Sequence, residues 1–134
     1  MPSLTYTIDT AANIVRLHYT ASPDWSEMSA ILDTVLKDPA HKPGMGILAD
    51  RSHVETPQTV GYIRQLIAYI RKHQAQFGDA RWALVFHGTG PYGMGRMAQL
   101  LGDDLPTMDL ELFNDPVEGE AWLRARHGTA TGES

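Results

Sequence analysis

Cysteine is absent from the chain, which excludes disulfide staples and thiolate metal sites together. Also missing is any apolar run approaching the roughly 18 residues that a bilayer-spanning helix needs. The N-terminus, Met-Pro-Ser-Leu-Thr, has no basic stretch leading into an apolar one, so it does not read as a secretory signal. Positive charge is in deficit: 11 Lys and Arg stand against 16 Asp and Glu, a net charge of -5. A phosphate backbone attracts a basic surface, so a nucleic-acid partner is not expected. The histidines are His18, His41, His53, His73, His87 and His127. None pair at a spacing such as H-x-x-x-H, and no metal is expected. No G-x-S-x-G elbow or other nucleophile signature occurs. These absences leave a soluble, cytoplasmic protein without a cofactor, and make an enzyme the weaker expectation.

What is present suits one globular domain. The 134 residues are 43% hydrophobic and 20% charged, and a chain of this length buries roughly two-thirds of its unfolded surface. Leu4, Tyr6 and Ile8 alternate with threonines, and Val15, Leu17 and Tyr19 alternate with polar residues. This period of two predicts an antiparallel hairpin with one buried face. Ser22-Pro23-Asp24 opens a helix with Trp25, Met28, Leu32, Val35 and Leu36 at helical spacing, closing at Lys37-Asp38-Pro39. An apolar strand over Met45 to Ala49 ends at Asp50, and Thr56-Pro57 opens a long helix carrying Val60, Ile63, Ile67 and Ile70 that stops at Gly78. Strand 81–87, helix 91–103, strand 107–113 and a helix from Asp115-Pro116 complete the chain. The domain is expected over 1–127, with 128–134 a small, polar, frayed tail.

Proline recurs at each helix start, as Pro23, Pro57, Pro91 and Pro116. Proline has no N–H to lose at the first helical position. Ser22, Thr56 and Asp115 stand in front as caps, with Gly90 a permissive one. The order is β-β-α-β-α-β-α-β-α, an α/β domain. Strands apolar on both faces belong in the middle and alternating ones nearer the edges. A five-stranded mixed sheet follows, the antiparallel hairpin first and then the three later strands, parallel, in sequence.

The helix starts then line the carboxyl edge of the strands, where open α/β sheets bind ligands. That edge collects Ser22, Asp50, Arg51, Ser52, His53, Thr56, Gln58, Thr59, His87, Gly88, Gly90, Tyr92, Gly93 and Asp115. Asp50, His53 and His87 could form an acid–base couple. Gly88 to Gly93 spells G-x-G-x-x-G after a strand, a dinucleotide fingerprint in miniature, but Pro91 intrudes and too little chain follows, so a tight turn is expected instead, with N–H groups able to hold an anion. Thr56 or Thr59 could carry a phosphate stabilised by the helix start. Tyr92, Met94 and Met97, facing Ile63, Ile67 and Ile70, could line a pocket for a lipophilic guest, since methionine adapts to irregular apolar shapes. Arg64, Arg71, Lys72 and His73 form a locally basic helix face, suited to a membrane surface or a protein partner.

The hairpin Leu4–Thr20, the turn Leu48-Ala49-Asp50-Arg51-Ser52-His53-Val54-Glu55, the strand Ala83-Leu84-Val85-Phe86 followed by Tyr92-Gly93-Met94-Gly95-Arg96-Met97, and the close from Leu112-Phe113 to Ala121-Trp122-Leu123 resemble the SpoIIAA-like (STAS/SEC14-type) family over about residues 3 to 124. The resemblance implies a fold shared by two groups. One holds STAS anti-sigma factor antagonists, which bind a partner kinase and are phosphorylated on a serine at the start of the second helix. The other holds CRAL-TRIO lipid-binding domains, which enclose a lipophilic ligand. Asp50-Arg51-Ser52 matches the first part of the antagonist motif, and Thr59 falls where the phosphorylated serine would be, after Gln58 in place of an acid. The expected function is therefore a non-enzymatic module binding a small lipophilic or anionic ligand at the carboxyl edge, peripheral at a membrane in one version. The alternatives are a phosphorylation-regulated protein–protein regulator and a small enzyme using Asp50, His53 and His87.

Overall fold

The hairpin forms where alternation places it. In the computed structural model, which describes residues 3–54, 60–78, 80–86 and 110–132, β1 (Leu4–Asp9) pairs antiparallel with β2 (Ile14–Tyr19). Their link closes on itself: Asp9 Oδ1 accepts from the Ala12 N–H at 3.0 Å, and Asn13 takes the left-handed φ of 61° that asparagine tolerates better than most residues.

The chain then crosses through α1 (Trp25–Lys37) to β3 (Gly46–Asp50), parallel to β2. The helix start differs from the expectation. Asp24, not Ser22, is the cap, its carboxylate accepting the Glu27 N–H at 2.8 Å, so Pro23 precedes the cap instead of occupying the first helical position. An aspartate cap adds favourable charge at the positive end of the helix dipole. Glu27 turns away from the cap and accepts from the Ser3 N–H at 2.8 Å, tying α1 to the start of β1.

The expected long helix divides into α2 (Val60–Lys72) and α3 (Gln74–Phe77), separated by His73 at φ -105°, ψ 24°. The kink swings Phe77 into the core against Trp82, with ring centroids 5.3 Å apart. Gly78 ends α3 as expected, at φ 67°, its N–H returning to the Gln74 carbonyl. Strands β4 (Trp82–Val85) and β5 (Leu110–Phe113) continue the sheet in parallel, giving the order β1-β2-β3-β4-β5. The last helix, α4 (Pro116–Gly132), has Pro116 in its first position, with Asp115 Oδ1 accepting the Val117 N–H at 2.9 Å. Its backbone stays helical to Gly132, beyond the Gly128 at which the tail was expected to begin. Pro57, Pro91 and the expected helix 91–103 lie outside the described residues.

The five-stranded mixed sheet is covered on both faces, as β3 and β4, apolar on both sides, require. Val15, Leu17, Ile47, Ala49 and Leu84 pack with Met28, Leu32 and Val35 of α1 and Leu66, Ile67 and Ile70 of α2. Ile14, Leu48, Ala83 and Val85 pack with Leu123 of α4 on the other side. Arg16 bridges Asp9 and Glu120 at 2.8 and 2.9 Å, fastening the hairpin to α4. Among the described residues no helix is long and apolar enough to cross a membrane.

Candidate functional site

Arg51 is the singular residue of the carboxyl edge. Along β3 the residues on the α1–α2 side are Ile47 and Ala49, and the same period of two delivers Arg51 to that side just past the strand end. Its backbone is held in place: the Arg51 N–H donates to the Val85 carbonyl at 2.8 Å, and the Arg51 carbonyl accepts from the Val54 N–H at 2.9 Å. The side chain is consequently delivered into the core, and the residue is only 4% exposed, the one charged or polar residue among the buried described residues.

Three elements surround the guanidinium. The end of β2 supplies Tyr19, over whose ring the Arg51 Cζ lies 5.1 Å from the centroid, a cation–π contact worth about 0.5–2 kcal/mol. The loop before α1 supplies Ser22, whose Oγ accepts from Arg51 Nη2 at 2.8 Å. The start of α2 supplies Tyr62, 7% exposed. Trp25, at the first position of α1, packs edge-on to Tyr62 and Tyr69 with centroids 5.8 and 5.9 Å away. Tyr69 in turn donates to Asp33 Oδ1 at 2.6 Å, which ties α2 to α1. The surroundings of Arg51 are thus aromatic, drawn from β2 and from the helices α1 and α2.

Burial sets the electrostatics. It pushes the Arg51 pKa down from its ordinary value, against the opposing influence of the Tyr19 and Tyr62 phenols. It pushes the Tyr19 phenol well up, with the neighbouring Tyr62 adding to the rise and Arg51 working against it. Tyr69 is likewise raised, by burial first and then by its bond to Asp33. The ordinary arginine value lies so far above neutrality that the guanidinium keeps its proton despite this lowering, and the site holds a positive charge in a dry, aromatic setting.

The residues expected at this edge separate by face. Asp50 follows Leu48 in the strand alternation and turns toward the α4 side, beside His18 in the β2–β3 register. Its Oδ1 accepts from both the Ser52 N–H at 2.9 Å and the Ser52 hydroxyl at 2.6 Å, so Asp50 and Ser52 shape their own turn. His53 is exposed on that turn. Ile67 is buried, 6% exposed, within the sheet–helix core. His73, expected on an open basic face, instead stacks on Tyr69 at 4.2 Å and bonds Gln76 at 2.6 Å, while Arg64, Arg71 and Lys72 are exposed on α2. Thr56, Thr59, His87, Gly88, Gly90, Tyr92, Gly93, Met94 and Met97 lie outside the described residues, as does the side chain of Ile63. Among the described residues no cluster of His, Asp and Glu could hold a metal ion.

Arg51 was expected at the carboxyl edge without a ligand-binding role, and Tyr19 and Tyr62 were not expected there. The signal that finds Tyr19 and Arg51 is the period of two, which sets 15, 17 and 19 of β2 on one face with 47 and 49 of β3 and with 51 just past its end; Tyr62, on α2, is not reached by it. Comparison with protein-family models, with curated proteins and with solved structures finds no match to this chain.

Proposed function

We propose that the protein is a non-enzymatic binding module whose carboxyl edge takes a small molecule with an anionic head and an apolar body, on the face between α1 and α2. The buried Arg51 guanidinium, laid over Tyr19 and donating to Ser22, carries this reading. Arginine offers five donors in a planar fork that matches a carboxylate or phosphate group, and a charge in so dry a place attracts an anion far more strongly than one in water. Trp25 and Tyr62 supply aromatic surface for the apolar body. Small-molecule sites are commonly built this way, from mainly apolar walls with a few placed polar groups.

The turn formed by Asp50 and Ser52, with His53 exposed, favours binding over acid–base chemistry, because the Asp50 oxygen is engaged by its own turn. Membership of the SpoIIAA-like group is part of the same proposal and rests on the motifs quoted above. Delivery of an amphipathic ligand at a membrane surface, through exposed Arg64, Arg71 and Lys72 on α2, extends it.

The test is an equilibrium titration with a fluorescent polyene fatty acid and with the corresponding alcohol. The wild type is expected to bind the acid saturably at one site. Arg51→Met should weaken the acid by about tenfold or more, the size of a lost charged hydrogen bond, and leave the alcohol nearly unchanged. No saturable binding of the acid by folded wild type, or equal weakening of acid and alcohol, overturns the proposal.

A further inference from the structure

The two edges of the sheet are built differently. Among the described residues β5 spans only four residues, Leu110–Phe113, and carries exposed Glu111, a short and charged edge of the kind that resists pairing. Strand β1 spans six residues and is Leu-Thr-Tyr-Thr-Ile-Asp. Its register with β2 runs without a bulge from Leu4↔Tyr19 to Asp9↔Ile14. It has no lysine and no proline, and its single charge, Asp9, is turned back onto the Ala12 N–H and Arg16. The usual protections of an edge strand are therefore lacking here.

The backbone phase of β1 follows from one bond. The Thr20 N–H donates to the Ser3 carbonyl at 2.9 Å, so Ser3, Thr5, Thr7 and Asp9 are the residues that exchange hydrogen bonds with β2. Leu4, Tyr6 and Ile8 consequently turn their N–H and C=O groups outward, and among the described residues β1 has no strand on that side.

We infer that this edge pairs antiparallel with β1 of a second copy of the chain, about a two-fold axis through Tyr6, to make one continuous sheet across a homodimer. The register that sets Tyr6 opposite its own copy is the two-fold arrangement that brings all of Leu4, Tyr6 and Ile8 into pairs, each exchanging both N–H···O bonds. In it Leu4 meets Ile8 of the second copy, Thr5 meets Thr7, and Ser3 meets Asp9. Apolar residues face apolar ones, threonine faces threonine, and no like charges meet. Self-complementarity of this kind is what an isologous interface requires. For a chain of net charge -5, self-association is opposed by repulsion elsewhere on the surface, and the run from Ser3 to Ile8 carries no charge that would add to it. Helix α1, fastened to the start of β1 through Glu27 and to Tyr6 through Asp38 at 2.8 Å, is carried to the same interface.

The test combines sedimentation velocity over a concentration series with residue-resolved amide exchange. The wild type is expected to show a sedimentation coefficient rising with concentration to that of a dimer, and protection at Leu4, Tyr6 and Ile8 that rises in step, while the Thr5 and Thr7 amides are protected at every concentration. Thr5→Lys/Thr7→Lys sets like charges opposite one another across the axis and should hold the chain monomeric. Thr5→Lys/Thr7→Glu sets opposite charges there and should restore the dimer, with thermal melts confirming that both variants are folded. A wild type that stays monomeric throughout, as it would if a foreign strand were the true occupant, overturns the inference. Equal dimerisation of the two charge variants overturns it as well.

Discussion

Arg51 Nη2 donates to Ser22 Oγ at 2.8 Å, joining the turn after β3 to the loop before α1 across 29 positions of sequence. That bond withdraws Ser22 from the capping role its place before Pro23 suggests. Truncating Ser22 to alanine removes a hydrogen bond to a buried charge, so Ser22→Ala should cost about 2 kcal/mol of stability. Urea unfolding should show a lower midpoint with an unchanged slope, since the surface exposed on unfolding is the same.

Asp24 holds the role that Ser22 gives up. Asp24→Ala leaves the Glu27 N–H without its side-chain acceptor and should destabilise by about 1 kcal/mol. Asp24→Asn should recover most of that loss, because asparagine caps comparably. Equal losses in the alanine and asparagine variants would show that charge, not the cap bond, is what matters at this position.

These two residues also mark where the sequence was legible and where it was not. The hairpin, the strand order and the apolar faces of α1 and α2 could be read because each depends on a period, two or 3.6, that the residues themselves display. The choice between Ser22 and Asp24 could not, since both cap well and the decision rests on a contact with Arg51 from another element. Arg51 itself was placed at the carboxyl edge but not in the core, because an arginine after a strand is normally solvated. The break at His73 was hidden for a related reason: nothing local interrupts the helical pattern, and the kink serves the packing of Phe77 on Trp82. Of the candidate site, Asp50, Ser52 and His53 occupy the expected turn, but the chemistry proposed for it shifts to Tyr19, Ser22, Arg51 and Tyr62.

Acid should loosen the loop between α1 and β3. Burial lowers the His41 pKa from its ordinary value of 6.5, with nearby Asp38 pulling it up, and the ring sits edge-on to Phe77 at 6.3 Å. The unfolded chain therefore binds the proton more readily than the folded one. Stability is fully present above pH 6.5 and falls as the pH drops through the lower, folded value. Asp38 is lowered as well, by the Ala40 N–H first and the Tyr6 hydroxyl next, and its contribution is lost in a separate window below its ordinary 3.8. His41→Gln should flatten the upper window of a stability–pH curve and leave the lower one; a variant curve parallel to wild type throughout would assign the upper slope elsewhere.

Gly78 combines a left-handed backbone with a crowded neighbourhood. At φ +67° an added Cβ would stand 2.9 Å from both the Gly44 nitrogen and the Pro43 Cβ, in a turn where the Gly44 N–H donates to the Phe77 carbonyl at 2.7 Å. Gly78→Ala should therefore destabilise by about 1–3 kcal/mol, well beyond the entropy it saves in the unfolded chain. The melt of this variant should fall clearly below that of a Gly44→Ala control. Gly44 has φ +92° but open space around it, so its substitution adds backbone strain without the clash.

Tryptophan fluorescence can locate the ligand within the molecule, because the three tryptophans of the chain occupy different surroundings. Trp25 is half-buried at the start of α1 and meets the Tyr62 ring at 5.8 Å, within the cluster around Arg51. Trp82 is 2% exposed in β4 and packs on Phe77. Trp122 lies on the opposite face of the sheet, with the Arg81 guanidinium 3.7 Å from its ring centroid. A ligand at the α1–α2 side of the carboxyl edge should change the emission of Trp25 and leave the other two nearly unaltered. Trp25→Phe should then abolish most of the ligand-dependent signal, while Trp122→Phe keeps its full amplitude and midpoint. Aromatic area is retained in Trp25→Phe, so binding measured by the ligand's own fluorescence should survive in that variant even as the protein signal disappears. A signal that persists in Trp25→Phe and vanishes in Trp122→Phe would move the binding site to the α4 face and remove Arg51 from it.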